Sequence, residues 1–385
     1  MAWELDPINV GTGLPLEGVR VLDLSRVLAG PLCAMIAGDL GADVIKVEGP
    51  EGDPVRSLAP PFFGAEATYY LAVNRHRRNV VADLRDADDF EQVARLVEVA
   101  DAVVENFLPS QVRSLGVDRL RARNPQCVWV SVTSATDGGP LTDRPSFDVL
   151  AQARSGLMGV SGEPDGEPTK CGAPIADVVT GLYAAVGLVT GLLSRAKGRS
   201  GGHFEAPLLE SAMSALVNQA QGYLSTGVDP PRLGNDHPSI APYGPLRSAD
   251  GLVLLAVGTD AQYERLIEIL SDDALLSHRE WSTNAARVGA RDDLREALTR
   301  VLSLQPTQHW LGLFEATGVP CAPIVDVRGA FEQEQIATGD FLASMTTPAG
   351  ATLAMRSPLR IDGVRPPIRR GPRALGEDTQ DLFGS

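Results

Sequence analysis

The chain has 385 residues, of which 44% are hydrophobic, and a net charge of −15 at neutral pH. This composition is that of an ordinary globular protein, and the strong negative charge argues against a nucleic-acid partner, because the field of the protein would repel phosphates. A chain of this length exceeds the size at which a single core keeps growing, so two domains are expected.

The longest apolar stretch, residues 178–193, argues against a membrane partner. It is slightly shorter than a bilayer span, contains three glycines and lies between Asp177 and Arg195. It is therefore predicted to be a core helix. The first thirteen residues contain no basic region followed by an apolar one, so no signal peptide is expected there.

The cysteines and histidines show no metal-binding or disulfide pattern. Cys33, Cys127, Cys171 and Cys321 are scattered without paired spacing, which favours unlinked thiols in a reducing cytoplasm. The histidines are His76, His203, His237, His278 and His309. None of them pairs with another at helical spacing, so we predict a cytoplasmic protein with no metal site and no permanently bound cofactor.

From Val19 onward the sequence alternates strand and helix patterns. VRVLDLS, DVIKVEG, NVVADL, DAVVENF and CVWVSVTS predict strands, and GPLCAMIAGDLGA and DDFEQVARLVEVA predict helices. Strands that are hydrophobic throughout are typical of a parallel sheet covered by helices on both faces. The predicted fold class is therefore α/β, with a doubly wound, Rossmann-like large domain.

The ligand site of such a sheet lies beyond the carboxyl ends of its strands. In this chain those ends are polar or glycine- and proline-containing turns, at residues 25–30, 48–50, 106–109 and 133–140. No G-x-G-x-x-G motif follows the first strand, so a dinucleotide site is not indicated.

The composition changes near residue 226. GVDPPRLGNDHPSIAPYGP is rich in Pro, Gly and Asn, which is typical of a linker or an ordered crossing. GLVLLAVGT then predicts a strand, and DAQYERLIEILS, DDLREALTRVLS and TQHWLGLFEATG predict helices. We assign residues 1–225 to the first part of the large domain, 226–335 to a smaller α+β domain, and 336–385 to a segment that returns to the large domain.

Asp177 stands at the head of the long apolar run, and two interpretations of it are open. An aspartate in this position is a favoured helix N-cap. The amides and the dipole of a helix N-terminus would equally keep a nucleophilic carboxylate ionised and oriented. The residues around Asp177 do not by themselves separate a cap from a nucleophile.

A short basic tract contains Arg75, Arg77 and Arg78. It is either a solvated surface turn or a binding site for the phosphates of a ligand, because guanidinium groups match phosphate geometry.

A set of motifs is spread over nearly the whole chain. LEGVRVLDLSR, LAGP and LGADVIKVEGPEGDPVR open it, and VENFLPSQVRSLGVD, RPSFDVLAQARSGLM, GAPIADVVTGLYAAVGL, GNDHPSIAPYGPLRSADG and VPCAPIVDV follow in that order. These motifs resemble those of the class III CoA-transferases of CaiB/BaiF type, the family of formyl-CoA transferase and carnitine CoA-transferase. The resemblance implies an enzyme that moves coenzyme A from an acyl-CoA to a carboxylic acid.

The resemblance also implies a mechanism. The family's nucleophile is the aspartate of an A-D-x-x-T-G turn, which matches Asp177, and it would form an anhydride and then an aspartyl-CoA thioester. Backbone amides near Leu28 and Ala29, and near Gly258 and Thr259, would stabilise negative charge on the reacting carbonyl oxygen.

Asp148 aligns with a family glutamate near the nucleophile, and it is either a supporting catalytic group or a helix cap. Coenzyme A is expected as a substrate, together with a small carboxylic acid. The residues implied in binding it are Leu28, Ala29, Ala82, Asp83, Leu84, Arg85, Asn106, Phe107 and Leu108, with Arg75, Arg77 and Arg78 for its phosphates. Family members form interlocked homodimers, so the same is expected of this chain.

Two other functions are compatible with parts of this pattern. An α-methylacyl-CoA racemase shares this fold but uses a histidine base in a G-H-D turn, whereas the corresponding residues here are Ser146, Phe147 and Asp148. Phenylalanine cannot accept a proton. In a non-catalytic CoA-binding protein, Asp177 would be only a helix cap. We prefer the CoA-transferase.

Overall fold

The structure is a computed structural model that describes residues 11–272, 275 and 279–384. The first ten residues and His278, on which the expectations about a signal peptide and a metal site partly rest, lie outside these ranges. The chain divides into two compact units. The first takes in the residues up to Leu157, Cys171–Val228 and the residues from Glu334 onward, and the second consists of Met158–Lys170 and Asp229–Gln333.

In chain order the described strands are β1 (Arg20–Asp23), β2 (Asp43–Glu48), β3 (Phe62–Phe63), β4 (Glu66–Ala67), β5 (Arg77–Val81), β6 (Ala102–Glu105), β7 (Val128–Thr133), β8 (His203–Pro207), β9 (Tyr243–Arg247), β10 (Leu252–Ala256), β11 (Cys321–Pro323), β12 (Leu342–Thr347) and β13 (Gly350–Met355). The described α-helices are α1 (Ala29–Asp39), α2 (Thr68–Val73), α3 (Ala87–Glu98), α4 (Pro109–Leu115), α5 (Val117–Arg123), α6 (Asp148–Ser155), α7 (Leu157–Val160), α8 (Ile175–Ala196), α9 (Leu208–Ser214), α10 (Asn218–Thr226), α11 (Asp260–Leu270), α12 (Asn284–Gly289), α13 (Arg291–Leu302), α14 (Thr307–Thr317), α15 (Val327–Glu332), α16 (Glu334–Ala337) and α17 (Thr379–Phe383).

The first unit is built on a parallel sheet with the strand order β5-β2-β1-β6-β7-β8. From β1 the chain moves outward to β2 and β5, and then continues on the other side of β1 with β6. The strand order therefore reverses between β1 and β6, where doubly wound folds bind their ligands. The predicted α/β fold with a parallel sheet is confirmed.

Helices cover both faces of this sheet, as its hydrophobic strands predicted. On one face α1 and α8 pack on a core that includes Val21, Val44, Val130, Ala184 and Leu188. On the other face α3 and α5 cover a core that includes Leu22, Ile45, Val93, Val103 and Leu120.

One glycine allows α8 to approach α1 closely. A Cβ atom on Gly181 would lie 2.8 Å from the Ala29 carbonyl oxygen and 3.1 Å from Leu32 Cβ. Any larger residue would separate the two helices. Since Asp177 lies one turn before Gly181, the close approach brings the first turn of α8 beside the loop that follows β1.

α8 packs through one face and exposes another. It is long and apolar enough to cross a membrane by length and composition, although 39% of its most apolar window is buried in the protein. Its exposed apolar residues are Leu182, Tyr183, Val186, Val189 and Leu193. The helix predicted to lie in a core therefore leaves a hydrophobic face uncovered in the single chain.

The second unit has α+β composition. An antiparallel sheet of β9, β10 and β11 is covered by helices, and its core includes Leu255, Leu266, Leu298 and Phe314. This unit also takes in Met158–Lys170, which the prediction assigned to the large domain. The reason is long-range, because Arg232 donates hydrogen bonds to the Glu163 and Gly166 carbonyls. The predicted domain limits at 225 and 335 stay predictions.

The C-terminal segment lies along the edge strand β5. The Asn79 N–H donates to the Asp378 carboxylate at 2.8 Å, and the Val81 N–H donates to the Thr379 hydroxyl at 2.9 Å. These bonds satisfy backbone groups that an edge strand would otherwise leave unpaired.

Candidate active site

A cavity of about 230 Å³ opens at the carboxyl ends of β1, β6 and β7, where the strand order reverses. Its lining comes from the end of β7, from loops of the first unit and from the first turns of α1, α4, α8 and α9. The lining residues are Arg26, Val27, Leu28, Ala29, Asn106, Leu108, Gln111, Val132, Thr133, Ser134, Pro145, Ser146, Phe147, Asp177 and Leu208. Asp177, Leu28 and Ala29, which were predicted to act together, thus share one cavity.

Asp177 is not the N-cap of α8. The helix begins at Ile175 with Pro174 as its N-cap, so Asp177 lies inside the first turn. Its carboxylate accepts no hydrogen bond from any residue in the described ranges. Burial, and secondarily the charge of Asp148, raise the pKa of Asp177 to about 7. The expectation was that the helix N-terminus would keep this carboxylate ionised, whereas burial and the Asp148 charge favour its protonated form.

The carboxylate that caps α8 is that of Asp148. Its Oδ1 accepts the Ala176 N–H at 2.8 Å and the Asp177 N–H at 3.4 Å, and its Oδ2 accepts a bond from Gln152 Nε2 at 2.7 Å. Asp148 is itself the first residue of α6 and does not cap that helix. Asp148 is therefore a helix cap, as one of the two interpretations held. It caps α8 and so links α6 to α8, whereas the prediction had it cap the helix that it begins.

Leu28 and Ala29 lie at the start of α1. Leu28 is the N-cap residue, and no side chain caps this helix. Within the described ranges, the backbone N–H groups of Leu28 and Ala29 donate no hydrogen bond. The first amides of a helix point along its axis and attract negative charge. This arrangement suits donors to a carbonyl oxygen that becomes negatively charged.

Gly258 and Thr259, the two residues of the second unit that were predicted to stabilise negative charge, donate their N–H groups within their own helix start. The N–H groups of Gly258 and Thr259 both donate to Gln262 Oε1, at 2.9 and 3.1 Å, and the Thr259 hydroxyl accepts the Gln262 N–H at 3.2 Å. They form a capping box at the start of α11. Their predicted role as charge-stabilising donors stays a prediction that requires these bonds to open.

The residues implied in coenzyme A binding are only partly brought together. Asn106 and Leu108 line the cavity, whereas Phe107 lines a separate cavity of about 320 Å³ on the side of the sheet near α4 and α5. Residues 82–85 follow β5, which β2 separates from β1. Ala82 and Leu84 pack with the core, and Asp83 pairs with Arg85 at 2.8 Å.

The basic tract is not a free anion site. Arg75, Arg77 and Arg78 are 6%, 1% and 6% exposed. Their guanidinium groups pair with three buried carboxylates, those of Asp39, Asp23 and Asp43. This corrects both expectations for the tract, since it is neither a solvated turn nor a set of cations open to phosphate. Arg77 and Arg78 lie in β5, and the C-terminal segment covers the tract, since the His76 N–H donates to the Arg370 carbonyl at 3.0 Å.

Tyr69 is a residue near the site that the sequence did not reveal. Burial raises the pKa of its phenol to about 12, and the charges of Asp177, Asp148 and Asp53 add to the rise. It lies in α2 within the apolar run ATYYLAV, where an aromatic residue is typical of a core. Only the fold brings it close to these carboxylates.

Relatives with named activities match most of the chain. Residues 16–379 match CoA-transferase family III. The succinate–glutarate CoA-transferase of Agrobacterium fabrum is 37% identical over 363 residues, which are 92% of this chain and 89% of that protein. The human succinyl-CoA:glutarate CoA-transferase is 34% identical over 373 residues, which are 96% of this chain and 85% of that protein.

Solved structures agree with this match. A CAIB/BAIF family protein from Brucella suis has a TM-score of 0.85 and 36% identity, covering 96% of this chain and 98% of that one. Rv3272 from M. tuberculosis has a TM-score of 0.86 and 26% identity, covering 96% and 99%. The preference for a transferase over a racemase or a non-catalytic binding protein is thus confirmed, and the chain belongs to CoA-transferase family III.

Proposed function

We propose that the protein transfers coenzyme A between two carboxylic acids through covalent intermediates on Asp177. The observation that carries this proposal is the setting of the Asp177 carboxylate. It lies in the cavity, accepts no hydrogen bond within the described ranges, and has a pKa raised to about 7. A carboxylate without donors is a stronger nucleophile, because attack costs it no stabilising contact.

The first half of the reaction transfers CoA to the protein. An Asp177 oxygen attacks the thioester carbonyl carbon of the donor, the C–S bond breaks, and a mixed anhydride and the CoA thiolate result. The thiolate attacks the Asp177 acyl carbon, and the anhydride C–O bond on that side breaks. The donor acid leaves as a carboxylate, and Asp177 carries CoA as a thioester.

The second half repeats these steps with the acceptor. The acceptor carboxylate attacks the Asp177 thioester carbon, which releases the thiolate and forms a second anhydride. The thiolate attacks the acceptor's acyl carbon, and the C–O bond to Asp177 breaks. The products are the new acyl-CoA and a free Asp177 carboxylate. Coenzyme A therefore acts as a substrate throughout and not as a bound cofactor.

Each attack places negative charge on a carbonyl oxygen, for which the N–H groups of Leu28 and Ala29 are the proposed donors. Asp148 acts on this chemistry through position and charge. By capping α8 it fixes the turn that carries Asp177, and its negative charge raises the Asp177 pKa.

The acids exchanged are proposed to be short dicarboxylic acids. The relatives at 34 to 37% identity are named for succinate and glutarate, and others are named for oxalate and mesaconate. In this chain Arg26 lines the cavity and forms no ion pair with any carboxylate in the described ranges. An unpaired guanidinium there suits an anionic substrate group.

Trapping of the intermediate tests the mechanism. Incubation with succinyl-CoA and no acceptor should add the mass of CoA to the protein, hydroxylamine or glutarate should remove it, and tryptic mapping should place it in residues 171–195. Asp177→Asn, which keeps the size of the side chain, should form no adduct. An unmodified protein, or an adduct elsewhere in the chain, would overturn Asp177 as the nucleophile.

A substrate panel tests the acids. Succinyl-CoA with glutarate should be turned over faster than acetyl-CoA with acetate, and Arg26→Met should reduce this preference. An equal preference for monocarboxylic acids would contradict the dicarboxylic assignment and leave the mechanism intact.

An interlocked homodimer in the cytoplasm is also proposed. The chain leaves the first unit after Val228 and returns to it at Glu334, as threaded rings require. The exposed apolar face of α8, which includes Leu182, Val186 and Leu193, is suited to burial against a second copy.

A further inference from the structure

The loop between β1 and α1 has an unusual backbone. Val27 has φ 70°, in the left-handed region that β-branched residues avoid. Val27 lines the cavity directly before Leu28 and Ala29. A strained residue at a cavity keeps its conformation only where its surroundings fix it, so the contacts of this loop show what holds it.

On one side the loop is held by a buried ion pair. Both carboxylate oxygens of Asp53 accept the Val27 N–H, at 3.2 and 3.3 Å. Lys46, whose side chain is fully buried, pairs with Asp53 at 2.9 Å and donates to the Ser25 carbonyl at 2.8 Å. The pair thus binds the backbone before and after Arg26.

On the other side the loop is held by one amide side chain. Asn106 Oδ1 accepts the Arg26 N–H at 3.0 Å, and Asn106 Nδ2 donates to the Arg26 carbonyl at 2.8 Å. Asn106 directly follows β6, on the far side of the point where the strand order reverses. Its polar atoms are already bonded to the backbone, which speaks against the direct coenzyme A contact implied by the family resemblance.

The helix that follows leaves the loop little room to move. A Cβ atom on Gly30 would lie 2.4 Å from both the Cβ and the Oγ of Ser25. The Ser25 N–H in turn donates to Asp23 Oδ1 at 3.0 Å. The backbone of each of the three residues Ser25 to Val27 is therefore hydrogen-bonded to a side chain. These side chains come from different strands and turns of the first unit.

We infer that Asp53 and Asn106 are positioning residues, which fix Val27 in its strained conformation and so aim the Leu28 and Ala29 N–H groups at the reacting carbonyl oxygen. This inference rests on the proposed function, because it concerns donors to an intermediate on Asp177. Neither residue needs to touch the substrate. Loss of either set of bonds lets the loop relax and moves the donors, which slows the chemical step without weakening coenzyme A binding.

The first test is Asn106→Ala, with kcat and KM for succinyl-CoA measured well below the melting temperature. We expect kcat to fall about a hundredfold and KM to change less than about threefold. The matched control is Asn124→Ala. Asn124 also binds the backbone, at the Val97, Glu98 and Ala100 carbonyls, but far from the cavity. This control should lower the melting temperature and leave kcat near that of the wild type.

The charge-balanced variant Lys46→Met with Asp53→Leu provides a second test if Asn106→Ala does not fold. It replaces the pair by apolar groups of similar size and removes both charges together. Asp23, which also lies 3.9 Å from Lys46, keeps Arg77 as its ion-pair partner. It too should lower kcat far more than KM. An unchanged kcat in either variant overturns the inference, and so does a large rise in KM with kcat preserved, which would make Asn106 a coenzyme A ligand.

The rate of adduct formation on Asp177 separates this inference from the mechanism itself. If the wild type forms the CoA adduct and the variants form it about a hundredfold more slowly, both stand. If the wild type and the variants form it equally fast, the positioning role fails alone. If the wild type forms no adduct, the proposed nucleophile fails.

Discussion

Asp177 lies where a nucleophile is needed, but its raised pKa limits the fraction of the reactive anion near neutral pH. Burial and the Asp148 charge raise this pKa to about 7, so the free enzyme holds the reactive anion only above that pH. We expect kcat/KM to rise with pH from 6 to 8 along a single protonation step with a midpoint near 7. A pH profile that is flat over this range would contradict the raised pKa of Asp177, because a carboxylate of ordinary pKa is fully ionised throughout it.

The variant Asp148→Asn should shift that profile. The amide oxygen still accepts the Ala176 N–H, but the negative charge that raises the Asp177 pKa is gone. The midpoint should therefore move to lower pH, even where the maximal rate changes through altered positioning. Asp88→Asn, on the exposed side of α3, removes an equal charge at a distance and should leave the midpoint unchanged.

Asp177 should lower the stability of the folded protein at neutral pH. A carboxyl whose pKa is raised on folding binds its proton more tightly in the folded state, so it destabilises the protein as pH rises from about 4 through 7. A rise from 3.8 to about 7 corresponds to at most about 4 kcal/mol. Asp177→Asn should therefore melt several degrees above the wild type at pH 8 and close to it at pH 4.5. Equal melting temperatures at pH 8 would show that the carboxylate is well solvated.

Among the elements, β5 shows how a basic sequence becomes a buried one. Arg77 pairs with Asp23 at 3.2 Å, beside the Lys46 side chain that holds the loop after β1. Arg77→Met leaves the Asp23 carboxylate short of a partner and should lower the free energy of unfolding by about 3 kcal/mol. The folded fraction should keep its KM for acyl-CoA. Arg85→Gln removes an exposed ion pair and should leave the melting temperature nearly unchanged.

The contact between α1 and α8 depends on one glycine. Gly181→Ala places a methyl group 2.8 Å from the Ala29 carbonyl oxygen, so the helices must separate, at a cost of about 1 to 3 kcal/mol. Because the contact sets Asp177 beside Leu28 and Ala29, kcat should fall as well. Gly222→Ala in α10 meets no atom within 4 Å and should leave stability equal or slightly higher. Wild-type activity in Gly181→Ala would show that the site tolerates this separation.

Sequence patterns predicted the helices, the strands and the place of the cavity, but not the contacts between side chains that are distant in the chain. The parallel sheet followed from strands that are hydrophobic throughout, and the cavity followed from the polar turns at their carboxyl ends. The burial of Arg77 could not be predicted in this way, because its partner Asp23 lies far away in the chain on another strand. For the same reason the capping of α8 by Asp148 and the proximity of Tyr69 to Asp177 appear only once the chain is folded.

At the scale of the whole molecule, the exposed apolar face of α8 is the surface on which the proposed dimer depends. Tyr183, Val186 and Leu193 are 52%, 63% and 53% exposed on a helix whose other face is core. A patch of this kind on a single chain marks an interaction surface. A net charge of −15 makes copies of the chain repel each other at long range. Burial of the apolar face, and not electrostatic attraction, would therefore drive their association.

A threaded dimer makes a stronger claim than an ordinary one, and subunit exchange distinguishes them. Two interlocked rings cannot separate while both are folded, so dimers carrying two different tags should not exchange subunits over a day of mixing at neutral pH. Mixed dimers should form only after joint unfolding and refolding, and native mass spectrometry would count them. Exchange under native conditions would leave a dimer without threading, and a monomeric mass at every concentration would remove the dimer altogether.

The variant Val186→Glu tests the apolar face of α8 itself. It should lower the yield of refolded dimer, because burying a carboxylate in the apolar face opposes association. Leu304→Glu, at an exposed position of the second unit, should refold as the wild type does.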